Sequence, residues 1–157
     1  MWSFAEWNGD HLDAGPEQTP NDMKLAAVSI HAVCAVAYIA SNQENGPVPA
    51  KEIAEMLKIP HETLLKTLQQ LARWRILKSK RGRHGGFLLL KSAHSTTLLE
   101  IPEVTEGPFN ANLSVERPAD CSLMVTNRLE SVVRDALVQV KGLLCYTTVS
   151  HLIANSP

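Results

Sequence analysis

His61-Glu62-Thr63-Leu64-Leu65-Lys66-Thr67-Leu68-Gln69-Gln70-Leu71-Ala72-Arg73, with the turn Arg81-Gly82-Arg83-His84-Gly85-Gly86 that follows, decides how this chain folds. Leu64, Leu68 and Leu71, with Leu65 beside them, recur at helical spacing and make one apolar stripe. Pro60 suits the first turn of that helix, where its missing N–H costs nothing. The period changes at Ile76. Residues 76–80 and 86–90 read as two short strands, joined by a turn rich in Gly and Arg. Gly82, Gly85 and Gly86 provide positive φ and close backbone approach in that turn.

Working upstream, residues 50–57 predict a short helix with Ile53, Ala54 and Leu57 facing inward, and Lys58-Ile59-Pro60 is a tight connection to the next helix. Helix, turn, helix and hairpin in that order is the winged helix-turn-helix plan. Farther upstream, Leu25, Val28, Ala32, Val36 and Ile39 predict a helix ending near Ser41, and Gly46-Pro47 marks the break after it. Residues 1–22 read as a disordered tail, without sustained period, although Trp2, Phe4 and Trp7 are unusual there.

Downstream, residues 96–106 predict a short helix that Pro102 should kink or shorten, and 107–120 predict a loop. From about Ser122 to Leu144 a long helix carries Leu129, Val132, Val133, Ala136, Leu137, Val140, Leu143 and Leu144. That stripe is too wide to hide against one small domain, and a second copy is its natural cover. The expected fold is therefore mainly α with a small β-hairpin: a tail (1–22), a winged helix-turn-helix DNA-binding domain (23–95), and a short helix, effector loop and dimerisation helix (96–157).

The net charge of −1 hides a segregation. Lys58, Lys66, Arg73, Arg75, Lys78, Lys80, Arg81, Arg83 and Lys91 fall in one window with a single acid, Glu62, a formal +8. The rest of the chain holds 6 basic and 15 acidic residues, a formal −9. One sign concentrated on one segment is the footprint of phosphate contact. His61, Glu62, Thr63, Lys66 and Thr67, with Gln70 one turn on, would face base edges from the N-terminal turns of the second helix. Arg81, Arg83, His84 and Gly85 would meet phosphates or the minor groove.

Enzyme chemistry finds little support. No phosphate-binding glycine loop, HExxH or paired CxxC motif is present. Three scattered cysteines make no disulfide framework, and no apolar run reaches the ~20 residues of a membrane-spanning helix. A reducing cytoplasm is the expected compartment.

The chain resembles the Rrf2 family of bacterial transcription regulators, which includes iron–sulfur, nitric-oxide and cysteine-metabolism regulators. The resemblance runs from Met23-Lys24-Leu25 through Gly46-Pro47-Val48 and Ile53-Ala54. It includes the wing from Arg81 to Phe87 and Leu89, then Leu99-Glu100-Ile101 and Glu106-Gly107-Pro108. It ends in Thr148-Val149-Ser150-His151-Leu152. It implies a homodimer on a palindromic operator, often sensing cluster status, nitric oxide or redox state.

Two departures stand out. Cluster-binding members place three cysteines in the loop before the dimer helix, whereas this loop has only Cys121. No cofactor is therefore expected. A metal or mixed-ligand cluster site using His31, Cys34 and a partner's Cys121 is the alternative, set against Cys34 packing in the core with His31 facing solvent. Cys121 alone would serve as a redox switch, or be incidental, and Cys145 is expected to pack on the apolar stripe. The family's basic residues in the first helix are also missing, with Val28 and Ile30 near those places. That leaves a rival reading: a protein-interaction or dimerisation module of the same fold that has lost specific operator binding.

Overall fold

The computed structural model describes residues 25–109 and 123–154. Its order is α1 (Ala27–Asn42), a 3-10 turn (Gln43–Asn45), α2 (Ala50–Leu57), α3 (His61–Arg73), β1 (Leu77–Lys80), β2 (Gly86–Leu89), α4 (Glu100–Glu106), α5 (Leu123–Tyr146) and α6 (Val149–Ala154). This is the expected winged helix-turn-helix with a long C-terminal helix. The expected tail lies outside the described residues, as do Cys121 and most of the expected loop.

One core joins these elements. Val36 and Ile39 of α1, Ile53 of α2, Leu64, Leu68 and Leu71 of α3, Leu77 and Phe87 of the hairpin, Ile101 of α4 and Val149 of α6 are all buried in it. Burying such side chains stabilises by ~1.5–3 kcal/mol each before entropy is counted. The core fixes which face of α3 remains outside.

The turns that set α3 in place are local. Helix α2 ends with Lys58 in the left-handed region (φ 54°), and Ile59 N–H donates back to Ala54 O at 3.0 Å. Helix α3 ends the same way: Arg75 has φ 63°, and Ile76 N–H donates to Leu71 O at 3.0 Å. This is the Schellman pattern, here made with basic residues rather than glycine.

The strands pair antiparallel, Leu77 opposite Leu89 and Lys80 opposite Gly86. A further bridge joins Val48 to Phe87, so the segment after α1 forms a third edge to the wing.

Two expectations need correction. Helix α1 begins at Ala27 rather than Leu25, and it buries Ser29, Ala32, Ala35, Val36, Ala37 and Ile39, with Leu25 exposed and Val28 half-buried. The start of α1 is turned so that Ser29 meets the end of α4. Ser29 Oγ donates to Glu106 Oε1 and lies 2.6 Å from Thr105 Oγ1, while Ala26 N–H donates to Glu106 Oε1 at 3.1 Å. A carboxylate at a helix N-terminus complements the positive end of its dipole. Second, α4 begins at Glu100 rather than Thr96. Pro102 thus falls in its first turn, where proline costs no internal hydrogen bond.

The end of α5 is clamped by the segment before α4. Leu99 N–H donates to Leu144 O (3.1 Å), Leu98 N–H to Thr147 O (2.8 Å) and Val149 N–H to Thr96 O (2.9 Å). Lys141 and Glu103 lie 3.9 Å apart across the same junction. Along the rest of its length α5 has no extended packing against other described elements. No helix among the described residues is long and apolar enough to cross a membrane.

Candidate nucleic-acid interface

With Leu64, Leu68 and Leu71 in the core, His61, Glu62, Thr63 and Lys66 stand exposed on the N-terminal turns of α3. The exposed face continues through Gln69 and Arg73, one turn apart. Gln69 was not singled out from sequence, although its spacing of three from Lys66 and four from Arg73 marks it.

Two of the expected readers are placed differently. Thr67 is only 5% exposed, and its Oγ1 donates to the Thr63 carbonyl at 3.2 Å. It lies three residues from Leu64 and four from Leu71, hence on the core stripe, and its polarity disguised that in the sequence. Gln70 is half-buried and its Nε2 donates to Val104 O of α4 at 2.6 Å. It braces α3 against α4 instead of projecting outward.

In the hairpin, Arg81, Arg83 and His84 are exposed. Gly82 has φ +112°, which favours glycine, and Gly85 N–H donates to Gly82 O at 2.9 Å. A Cβ at Gly85 would lie 2.4 Å from Lys80 O, so this position serves the turn's geometry. The turn holds the two arginines out from the body.

Lys58, Lys66, Arg73, Arg75, Lys78, Lys80, Arg81 and Arg83 are all exposed, and among the described residues none of them is in an ion pair. Lys91, the ninth cation of the window, pairs with Glu100 at 3.2 Å. Eight uncompensated cations on consecutive elements repel one another, and an anionic polymer relieves that repulsion.

The thiols are dispersed. His31 and Cys34 are half-buried on α1, and burial pushes the Cys34 thiol up from its ordinary value, which favours the protonated form. Cys145, expected to pack on the apolar stripe, is exposed on the last turn of α5. Cys121 lies outside the described residues. Among those residues no group of three His, Cys, Asp or Glu side chains is placed to hold a metal ion.

On α5, Leu129 and Ala136 are exposed, as are Val132 (64%) and Leu143 (68%), while Val133 and Val140 are half-exposed. Thr126 is its one buried residue among those described.

Known proteins share this arrangement. The model of the Rrf2 family, described as "Iron-dependent Transcriptional regulator", matches residues 27–155. Protein aau3 of Rhizobium meliloti is 31% identical over 137 residues, 86% of this chain and 88% of its own length. The HTH-type transcriptional regulator IscR of Klebsiella pneumoniae is 28% identical over 133 residues, 85% of this chain and 81% of its own. Among solved structures, CymR, the global cysteine regulator of B. subtilis, superposes with a TM-score of 0.71 at 26% identity, covering 87% of this chain and 100% of its own. The match spans every described element from α1 to α6, and on that ground the chain belongs to the Rrf2 family of transcriptional regulators, a family of regulators rather than enzymes.

Proposed function

We propose that this regulator binds a palindromic operator in duplex DNA as a homodimer, with α3 in the major groove and the hairpin tip against the backbone. The eight exposed cations on and around α3 and the hairpin, without ion-pair partners among the described residues, carry this reading. A B-DNA major groove about 12 Å wide admits one helix. His61, Glu62, Thr63, Lys66 and Gln69 would then face base edges. Arg81, Arg83 and His84 would meet phosphates or the adjacent minor groove, fixing register without reading sequence.

The homodimer reading rests on α5. Its exposed Leu129, Val132, Ala136 and Leu143 lie along a helix that has no extended packing against other described elements. A two-fold pairing of α5 helices would cover them, and a two-fold protein matches a two-fold operator.

Iron is a poorer fit. An ordinary iron–sulfur cluster wants thiolate at most of its ligand positions. This chain has three cysteines in all: Cys34 is half-buried with its thiol pushed up, Cys145 is exposed near the end of α5, and Cys121 is the one in the loop. These residues do not fit a cysteine-ligated cluster. The regulatory input is instead read as oxidation of the Cys121 thiol, with peroxide as the oxidant and sulfenic acid and water as the products.

Fluorescence anisotropy with labelled duplexes over a salt series tests the DNA reading, alongside sedimentation of the protein alone. Affinity falling linearly in log–log form with salt, and a two-chain species, are expected. Salt-insensitive or absent binding would favour the interaction-module reading, to which the apolar Val28 and Ile30 of α1 incline. Val132→Glu should yield a monomer with weakened operator binding. Cys121→Ser should bind the operator equally with and without peroxide.

A further inference from the structure

The cationic face of α3 and the hairpin has a complementary segment in its own chain. Residues 1–22 contain Glu6, Asp10, Asp13, Glu17 and Asp22 and no Lys or Arg, and they precede α1. Trp2, Phe4 and Trp7 lead that segment. We propose that this acidic, aromatic N-terminal segment docks on the α3–hairpin face and competes there with DNA. The competition rests on the DNA reading above; the docking itself does not.

Three observations carry the docking. The charges are opposite in sign: the segment carries five carboxylates, and the α3–hairpin face carries eight exposed cations that have no ion-pair partner among the described residues. The reach is ample. The 24 residues before Leu25 span up to ~80 Å extended. A unit of ~70 residues, the size of the winged helix-turn-helix, has a radius of gyration of only ~11 Å. The segment can therefore meet any point of that surface. Finally, an aromatic anchor has a seat. An open cleft of about 590 Å³ lies at the start of α3, and Lys58, Ile59, Pro60 and His61 help to line it. An indole can rest on the exposed ring of Pro60, with Lys58 over its face, where a cation is attracted by the ring quadrupole.

Tethering makes the contact intramolecular, so weak pairwise attractions act at a millimolar-scale effective concentration. DNA must displace five carboxylates that already stand in for phosphates. Fewer small ions are then released on binding, and the salt dependence is shallower than the cation count implies.

The test compares the full-length chain with a full-length variant carrying E6Q, D10N, D13N, E17Q and D22N. Backbone amide NMR without DNA reads the docking. Shifts at His61 to Lys66 and Arg81 to Gly85 between the two proteins are expected. Shifts elsewhere only, or none, would overturn the proposal. Anisotropy reads the competition. The neutralised chain should bind duplex roughly tenfold tighter at low salt, with a log–log salt slope steeper by about 1 or more. Equal affinity and equal slope would refute competition even if the segment docks. Docking shifts in a protein that binds no duplex at all would keep the contact and sink the DNA reading instead. A second variant, W2A/F4A/W7A, keeps the charges. It should lose the shifts at Ile59 and His61, and shifts that persist there would refute the aromatic anchor.

Discussion

Gly86→Ala should unseat the wing. Gly86 opens β2 opposite Lys80, and a Cβ there would lie 2.4 Å from Val48 O, 2.5 Å from Val48 C and 2.9 Å from Pro49 N. All three are backbone atoms, so no side-chain rotation relieves the overlap. The φ of Gly86 is not positive, which makes space the sole requirement. Restoring ordinary contact would push the Val48–Pro49 backbone away by about 1 Å. Val48 N–H donates to Phe87 O at 3.0 Å and Phe87 N–H to Val48 O at 2.9 Å, and both bonds would stretch past the useful range. Each is worth ~0.5–1.5 kcal/mol net, and the residual overlap adds ~1–3 kcal/mol of strain. The sum, about 2–6 kcal/mol, corresponds to a fall in Tm of roughly 10 °C for a chain of this length. Thermal denaturation followed by circular dichroism at one fixed protein concentration measures it. A Tm within ~1 °C of the parent would show that the edge at Val48 adjusts freely, and the argument from close approach would be wrong.

Other substitutions separate roles within the interface. Thr67→Val, on the buried side of α3, should leave operator preference unchanged, whereas Thr63→Ala should alter it; binding to a panel of operator variants decides. Arg83→Ala should weaken binding to all duplexes alike and flatten the log–log salt slope by about 1; a loss confined to one sequence would contradict a backbone role. Gln70→Ala leaves the Val104 carbonyl without its donor and should cost ~1–2 kcal/mol in urea unfolding, with no cost if water replaces it fully. Cys34 should alkylate more slowly than Cys145 at neutral pH, as peptide mass spectrometry can follow, and urea should abolish the difference. Because burial raises the folded-state value of Cys34, its contribution to stability is complete below the ordinary thiol value of 9.0 and fades as pH rises above it.

The parts of the fold written in local patterns were legible from sequence alone. Leu64, Leu68 and Leu71 announced α3, and the glycine-tipped turn announced the wing, because periodicity and turn chemistry act over a few residues. The misplacements came where a distant partner decides. Val48 pairs with Phe87, 39 positions on, and nothing near Val48 signals it. Ser29 turns inward because Glu106 waits at the end of α4. Thr67 and Gln70 were taken for readers because both are polar and on the right helix. Their true facing depends on the stripe through Leu64 and Leu71, and on a carbonyl in α4. The charge island needed no partner to be seen, and the structure adds that among the described residues eight of its nine cations have no ion-pair partner.

The clamp at the end of α5 makes that helix a lever. Twenty-four residues rise about 36 Å, and the fulcrum lies where Leu98, Leu99 and Glu103 grip Leu144, Thr147 and Lys141. A tilt of ~5° at the fulcrum carries the far end through about 3 Å over that length. Cys121 lies two positions before Leu123, which begins α5 at that far end. Under the proposed Cys121 switch, a modest chemical change there would work through a long arm on a short grip, and Glu103 in the grip shares a seven-residue helix with the Val104 carbonyl that holds Gln70 of α3. The stiffness of those few contacts, more than the size of the chemical event, would then set how far α3 moves.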